Sequence, residues 1–458
     1  MPENTGHFVE VEKRIDPEAN HGETQQSIII DPEREKALMS SMGAARISGI
    51  DAALDLAVGS RVSIALLVFY IGYVIVELPS NIIIRKAGPA AWLSFLAVAW
   101  GVVTLAVGFI KNWESLVVLR VLLGIFEGGV FPGGIYLVSS WYKKSEVQKR
   151  IAIFFLTGSF LSSFSNILAY CLIYISSDPF VHGWKWIFIV EGTVTIVVGI
   201  GAYFVMVDFP SSKRNKFLTQ EEATLVEARL LQERGENQTV HVSLQVIWDC
   251  LKDWKVWLLA FQYQTGSTGV YAFLFFLPII LKNSLGFSQQ NSFLLSTPPA
   301  AFAVIVAFTI SWFADKTKCR APFMFGASIV GIIGLAMIGF LKNPIPRYVG
   351  AFLGQAASNT IVVTGIAWGQ NNVRQDQKRA VVTAVQITLS AIGGIYSSTV
   401  FRQQDAPNYL PGVIAMGILF VLNTILAPIT IFILRRANSR ADQGLEQIEG
   451  TDWFRYTV

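Results

Sequence analysis

The charges of this 458-residue chain are kept out of its long apolar stretches, and that segregation limits its fold more than any motif does. The chain holds 36 Lys and Arg and 32 Asp and Glu, yet only Glu77, Arg120, Glu127 and Glu191 fall well inside long apolar runs. A hydrocarbon core about 30 Å thick needs about 20 apolar residues at about 1.5 Å of helix rise each. Stretches at 62–84, 89–110, 116–139, 151–175, 186–207, 257–281, 292–314, 321–340, 348–368, 380–400 and 410–434 meet that length. Charged residues make up 15% of the chain and the mean hydropathy is +0.48. Soluble domains carry about 25% charged residues, so a water-soluble enzyme is excluded. The pattern predicts an all-α polytopic membrane protein with about eleven spans.

The spans fall into two groups. Residues 1–61 read as a polar N-terminal tail, with eleven acids against six Lys and Arg. Residues 62–207 form an N-terminal bundle of five spans, 208–256 a central loop, 257–434 a C-terminal bundle of six spans, and 435–458 a C-terminal tail. The central loop opens with Asp208-Phe209-Pro210, a helix stop. Thr219 with Glu222 makes a capping box, and Gly235 ends that helix. A second amphipathic stretch carries Leu244, Ile247, Leu251 and Trp254 on one side. Lys and Arg concentrate in the loops after odd-numbered spans, which predicts that the central loop and the C-terminus are cytoplasmic. The Asn237-Gln238-Thr239 sequon then faces the wrong compartment for glycosylation.

An odd span count places the two termini on opposite sides, unless one span is missing from an ancestral twelve. Arg85-Lys86-Ala87-Gly88-Pro89 resembles Asp315-Lys316-Thr317-Lys318-Cys319-Arg320-Ala321-Pro322. These loops take equivalent places only if the first half lacks its leading helix, which gives a 5+6 arrangement.

Several chemistries drop out. Cys171, Cys250 and Cys319 are too few and too scattered for a disulfide framework. His7, His21, His182 and His241 all lie outside the spans, so no metal or haem site within the membrane is expected. No Gly-Lys-Ser/Thr sequence is present to cradle a nucleotide phosphate. The expectation is a non-enzyme without cofactor, metal or nucleic-acid partner, acting as a monomer in the bilayer.

The third span is the most informative. A charge in the bilayer centre costs about 2.5–3.5 kcal/mol on insertion scales, and this span holds Arg120 and Glu127, about two turns apart on one face. One reading is a water-accessible cavity in which Arg120 attracts an anion, Glu127 exchanges a proton, and Gly124 and Gly128 leave space beside them. The other is structural ion pairing, with the glycines allowing close helix packing. Gln264, Gln355, Asn359, Thr364 and Gln386 either line a path for a polar solute or bond helix to helix. Glu77 with Asn81, Asp315 with Arg320, and Trp368 with Asn371 and Asn372 are candidate gating groups at span ends. Glu191 and the aromatic Tyr271, Phe275 and Tyr396 read as structural.

These segments together resemble the major facilitator superfamily, and within it the fungal anion:cation symporters that include allantoate and nicotinate permeases. The likeness rests on the Arg120–Gly134 run with Ser140-Trp141-Tyr142-Lys143-Lys144, on Gly183-Trp184-Lys185-Trp186 through Glu191-Gly192, and on Asp208-Phe209-Pro210. Asp253-Trp254-Lys255-Val256-Trp257, Lys378-Arg379-Ala380, Ile392-Gly393-Gly394-Ile395 and Asp405-Ala406-Pro407 extend it. The resemblance implies two bundles rocking about a central site and proton-coupled uptake of small organic anions at the plasma membrane. It also implies roles in anion binding for Arg120 and in proton coupling for Glu127. One departure stands out: family members place an apolar helix ending in an Asp-Arg pair before a segment like Gly43-Ala44-Ala45-Arg46-Ile47-Ser48-Gly49, and here Met42 precedes that segment directly.

Overall fold

The computed structural model describes residues 42, 44–56, 58–141, 162, 164–179, 181–210, 212, 214–215, 222, 244–317, 319–373, 376–402, 405, 409–445, 447–449 and 453–457. Most of the capping-box helix expected after Thr219, and residues 151–161 of the fourth span, lie outside the described residues.

The first half contains α1 (Arg61–Ala87), α2 (Pro89–Val107), α3 (Trp113–Glu127), α4 (Val130–Trp141), α5 (Ser165–Ile173) and α6 (Gly183–Val205). A short helix, α7 (Leu244–Lys252), leads into the second half: α8 (Trp254–Asn283), α9 (Gln289–Thr317), α10 (Ala321–Phe340), α11 (Pro344–Asn371), α12 (Asp376–Val400) and α13 (Leu410–Asp442). Among the described residues, nine helices are long and apolar enough to cross a bilayer, and Arg61–Val76 of α1 adds a shorter apolar helix. α3 and α4 form one span with a break at Gly128-Gly129.

The ends of these helices follow from local chemistry. The Asn112 side chain accepts from Ser115 N at 3.2 Å and starts α3, and Asn343 does the same for Ile345 N at 3.1 Å in α11. Gly88, at φ +83, turns the chain between α1 and α2, and Pro89 then occupies the first turn, where its missing N–H costs nothing.

The packing repeats between the halves. α2 packs on α6 as α10 packs on α13, and α1 packs on α3 as α9 packs on α11. Across the seam α1 meets α12 and α5 meets α9. These pairs match under a twofold exchange only when α1 corresponds to α9, the second helix of its half. α8, which packs on both α11 and α12, then has no counterpart among the described residues of the first half. Among the described residues, the packing thus pairs the first-half helices with α9 to α13 and leaves α8 over.

Two terminal segments depart from the polar tails that their composition suggests. Residues 44–56 are not a loose tail: Ala44, Ala45, Ile50, Leu54 and Leu56 are buried, and the turn Arg46–Ile50 packs against both α6 and α8. Arg46 sits in this segment because Asp51 takes its charge, Nε to Oδ2 at 3.2 Å, while its guanidinium lies 5.8 Å from the Phe276 ring centre. Burial raises the Asp51 carboxyl above its ordinary range, and Arg46 opposes that shift. At the other end, α13 continues to Asp442, and the described residues at 447–449 and 453–457 fold back onto the bundle. Polarity alone misreads both segments, because paired charges and backbone hydrogen bonds make polar chain packable.

Candidate functional site

Arg120 and Glu127 lie in α3 and are buried, at 1% and 4% exposure. Arg120 is among the largest fully buried side chains of the protein. Its Nε and Nη2 find no hydrogen-bond acceptor among the described residues. A guanidinium carries five donors, and leaving a buried charged group partly unsatisfied is expensive. Among the described residues, Glu127 and Tyr70 are the ionisable groups that act on Arg120 electrostatically.

The glycines beside this pair serve packing, as the second of the two readings has it, and do not open space around the charges. A Cβ at Gly124 would stand 2.0 Å from the Phe69 carbonyl oxygen, and one at Gly128 would stand 2.6 Å from that of Tyr73. α3 therefore rides directly on the backbone of α1. Close approach brings Tyr70 of α1 next to Arg120.

Tyr70 is the residue that sequence reasoning missed. It is buried and reaches across the seam, with its ring edge-on to Tyr271 of α8 at 5.6 Å and against α12, where a Cβ at Gly394 would lie 2.2 Å from its Cζ. The neighbouring Gly393 admits Thr268 of α8, whose Oγ1 would be 2.4 Å from an added Cβ. The Gly393-Gly394 pair was the available signal: two adjacent glycines inside a span allow close approach on two faces of α12. Tyr271 stacks on Phe275 at 6.4 Å, which continues the aromatic wall along α8.

The second half supplies neutral polar groups. Gln264 lies under Gly393, so α8 presents it to α12. Gln355 and Asn359 are both buried on α11. Asn359 Nδ2 donates to the Gln355 carbonyl at 3.1 Å, while Gln355 Oε1 has no partner among the described residues. Gln386 differs, since its Nε2 donates to the Gly365 carbonyl at 3.0 Å and ties α12 to α11. Thr364 bonds back to the Thr360 carbonyl within its own helix.

The candidate gating groups are scattered. Asp315 pairs with Arg320 across the turn between α9 and α10, with Arg320 nearly buried and Asp315 exposed. Glu77 and Asn81 lie on α1, but their side chains lie outside the described ones. Trp368 and Asn372 are buried at the end of α11. Other cross-seam contacts gather at the end of the bundles opposite these basic turns. There Ser63 Oγ donates to the Ser398 carbonyl at 2.9 Å, and Gln290 Nε2 donates to the Tyr174 hydroxyl at 2.7 Å. The Tyr170 and Phe293 rings meet at 6.1 Å.

A model of the Major Facilitator Superfamily matches residues 37–398. The chain belongs to this superfamily. It is a transporter-family membrane protein and not an enzyme. It is 28% identical to the MFS-type transporter cnsO of Penicillium expansum, over 88% of this chain and 79% of that one. The major facilitator-type transporter hxnP of Emericella nidulans is 29% identical over 82% of this chain and 76% of its own. Among solved structures, a bacterial homologue of the human lysosomal transporter Spinster, in an inward-facing and unoccupied conformation, superposes with a TM-score of 0.64 at 13% identity. That match covers 88% of this chain and 96% of the other. A D-xylose–proton symporter gives 0.63 at 15% identity, covering 87% and 95%. Likeness at these identities concerns the fold.

Proposed function

We propose that this superfamily member derives from proton-coupled carriers of small organic anions, working by alternating access. The observation that carries the reading is Arg120: a fully buried guanidinium with two donor atoms left without acceptors among the described residues. A carboxylate supplies the planar pair of acceptors that such a fork fits. Glu127, in the same buried helix, is the proton-coupling group, because protonation and the approach of an anion to Arg120 influence each other through charge. Gln264, Gln355 and Asn359 offer neutral hydrogen bonds from the opposite half, and Tyr70 with Tyr271 supplies aromatic surface between the halves. The basic loops lie on the cytoplasmic side of a plasma membrane in this reading. The cross-seam contacts then close the outer end, and Glu77, Asn81, Asp315 and Arg320 take part in gating at the inner one.

A second reading rests on α8 having no first-half counterpart among the described residues. A chain short of that helix is a non-transporting sensor or an inactive form of a twelve-span carrier.

Uptake of radiolabelled nicotinate and allantoate into yeast, with and without an imposed proton gradient, tests both readings. The comparison requires this chain and a version with the first span of a relative inserted before Gly43. The proton-coupled reading expects gradient-driven uptake in the extended version that Arg120→Ala abolishes, and Glu127→Gln to lose stimulation by the gradient. Undiminished, gradient-driven uptake in both variants removes the mechanism. Equal uptake by the two chain lengths removes the second reading.

A further inference from the structure

The end of the chain is fastened to the second half by side chains from four different helices. After α13 the chain turns at Gly444, φ +70, and runs back across the basic end of the bundle. Asn438 of α13 holds the backbone of Tyr456 from both sides, its Nδ2 donating to the carbonyl at 2.9 Å and its Oδ1 accepting from N–H at 2.8 Å. Thr457 is held the same way from α11. Its N–H donates to Asn372 Oδ1 at 2.8 Å and its carbonyl accepts from Trp368 Nε1 at 2.9 Å. Lys255, at the start of α8, donates to the Tyr456 hydroxyl at 2.7 Å. Lys378 of α12 pairs with Glu449 at 3.1 Å, and Arg455 pairs with Asp442 at 2.6 Å.

These contacts are specific in kind. Two amide side chains and one indole satisfy backbone groups of consecutive residues, which is what a strand partner would otherwise do. Ile448 and Tyr456 are buried by the arrangement, at 2% and 8% exposure. Beneath them a crevice is lined by Asp249, Cys250, Lys255, Lys378, Glu449 and Tyr456. Cys250 itself is 3% exposed, and burial pushes its thiol above the ordinary range. Trp368 and Asn372, read above as candidate gating groups, are the very residues that grip Thr457.

We propose that residues 447–449 and 453–457 form a releasable strap that clamps the basic ends of α8, α11, α12 and α13 into one unit and seals the crevice over Cys250. While it is docked, the end of α11 moves only together with α8 and α12. Release frees that end, so the state of the tail sets whether the second half rocks as a rigid body or flexes at its basic end. The strap needs no transported solute to act, so it stands apart from the anion reading.

Cys250 reports on the strap directly. In the full chain carrying Cys171→Ser and Cys319→Ser it is the one remaining thiol, and its reaction with a membrane-permeant maleimide is followed in isolated membranes. Ending the chain after Gly444 is expected to speed labelling at least tenfold, and Asn372→Ala with Asn438→Ala to give a smaller acceleration. Equal rates, within twofold, in the full and shortened chains overturn the strap. Labelling of the exposed Cys319, in a Cys171→Ser, Cys250→Ser background, controls for misfolding. Should the shortened chain misfold, a charge swap decides: Lys378→Glu is expected to expose Cys250 and added Glu449→Lys to protect it again. Failure of the second change to restore protection overturns the proposal.

Discussion

In the second half α8 is wedged between α11 and α12 and is buried along most of its length. In the first half the helices equivalent to α11, α3 with α4, carry the buried Arg120 and Glu127 and have no such wedge among the described residues. The halves therefore share their helix pairs and differ in chemistry: Arg120 is buried with donors left over among the described residues, whereas Arg347, the buried guanidinium of α11, donates to the Ile338 and Ser284 carbonyls, and the middle of α11 carries uncharged amides. A buried guanidinium demands acceptors, whereas an amide on a helix settles for a carbonyl of its own turn, as Asn359 does. The contrast teaches that a fold can repeat while the energetic cost of its interior falls on one side.

The sharpest way to break this contrast is to remove the charge. In the extended chain, Arg120→Ala is expected to lower the initial uptake rate at least 100-fold, equivalent to about 2.7 kcal/mol. Gln355→Leu is expected to lower it about three- to tenfold, about 0.7–1.4 kcal/mol. Equal losses would erase the division of labour between the halves.

Restoring the wedge comes next. Inserting a first span before Gly43 is expected to raise uptake at least tenfold over the 458-residue chain. Sizing the transcript across the codons for Leu38–Gly43 asks the same question of the gene, where an insert of roughly 25–35 codons would encode a span with its flanks.

The seam offers a smaller effect. Gly394→Val drives a branched side chain into Tyr70, and overpacking of this kind costs about 1–3 kcal/mol. Thermal unfolding in detergent is expected to show the loss, and Tyr70→Ala to recover part of it. The smallest change is expected at the turn between α9 and α10. Asp315 is exposed, so Asp315→Asn removes an ion pair worth about 0.2–1 kcal/mol. Arg320→Gln is expected to cost more, because its buried side chain also loses packing. The same unfolding measurement orders the two.

Much of the site was legible in the sequence because charge inside an apolar run is costly and conspicuous. Arg120 and Glu127 announce themselves by that cost alone. Tyr70 does not, since an aromatic ring in a span is ordinary, and its importance depends on which helix it meets across the seam. Gly124 and Gly128 were visible as small residues, but whether they face a cavity or a neighbour is a matter of helix rotation, and they face the α1 backbone. Gln386 and Gln355 look alike in sequence, and the structure separates them: one ties α12 to α11, while the other keeps an oxygen without a partner among the described residues.

Hydrophobic run length by itself determined that this chain is a helical membrane protein, and it predicts the division five against six, because a bilayer leaves a polar backbone no alternative to long apolar helices. Only the tertiary structure decided that residues 44–56 and the described residues beyond Asp442 pack. The hydrogen bonds that hold Thr457 and Tyr456, and the pairing that hides Arg46, join residues far apart in sequence or buried by other elements. No local pattern records which distant side chain will satisfy a given polar group, and that choice is what turns a hydrophilic tail into structure.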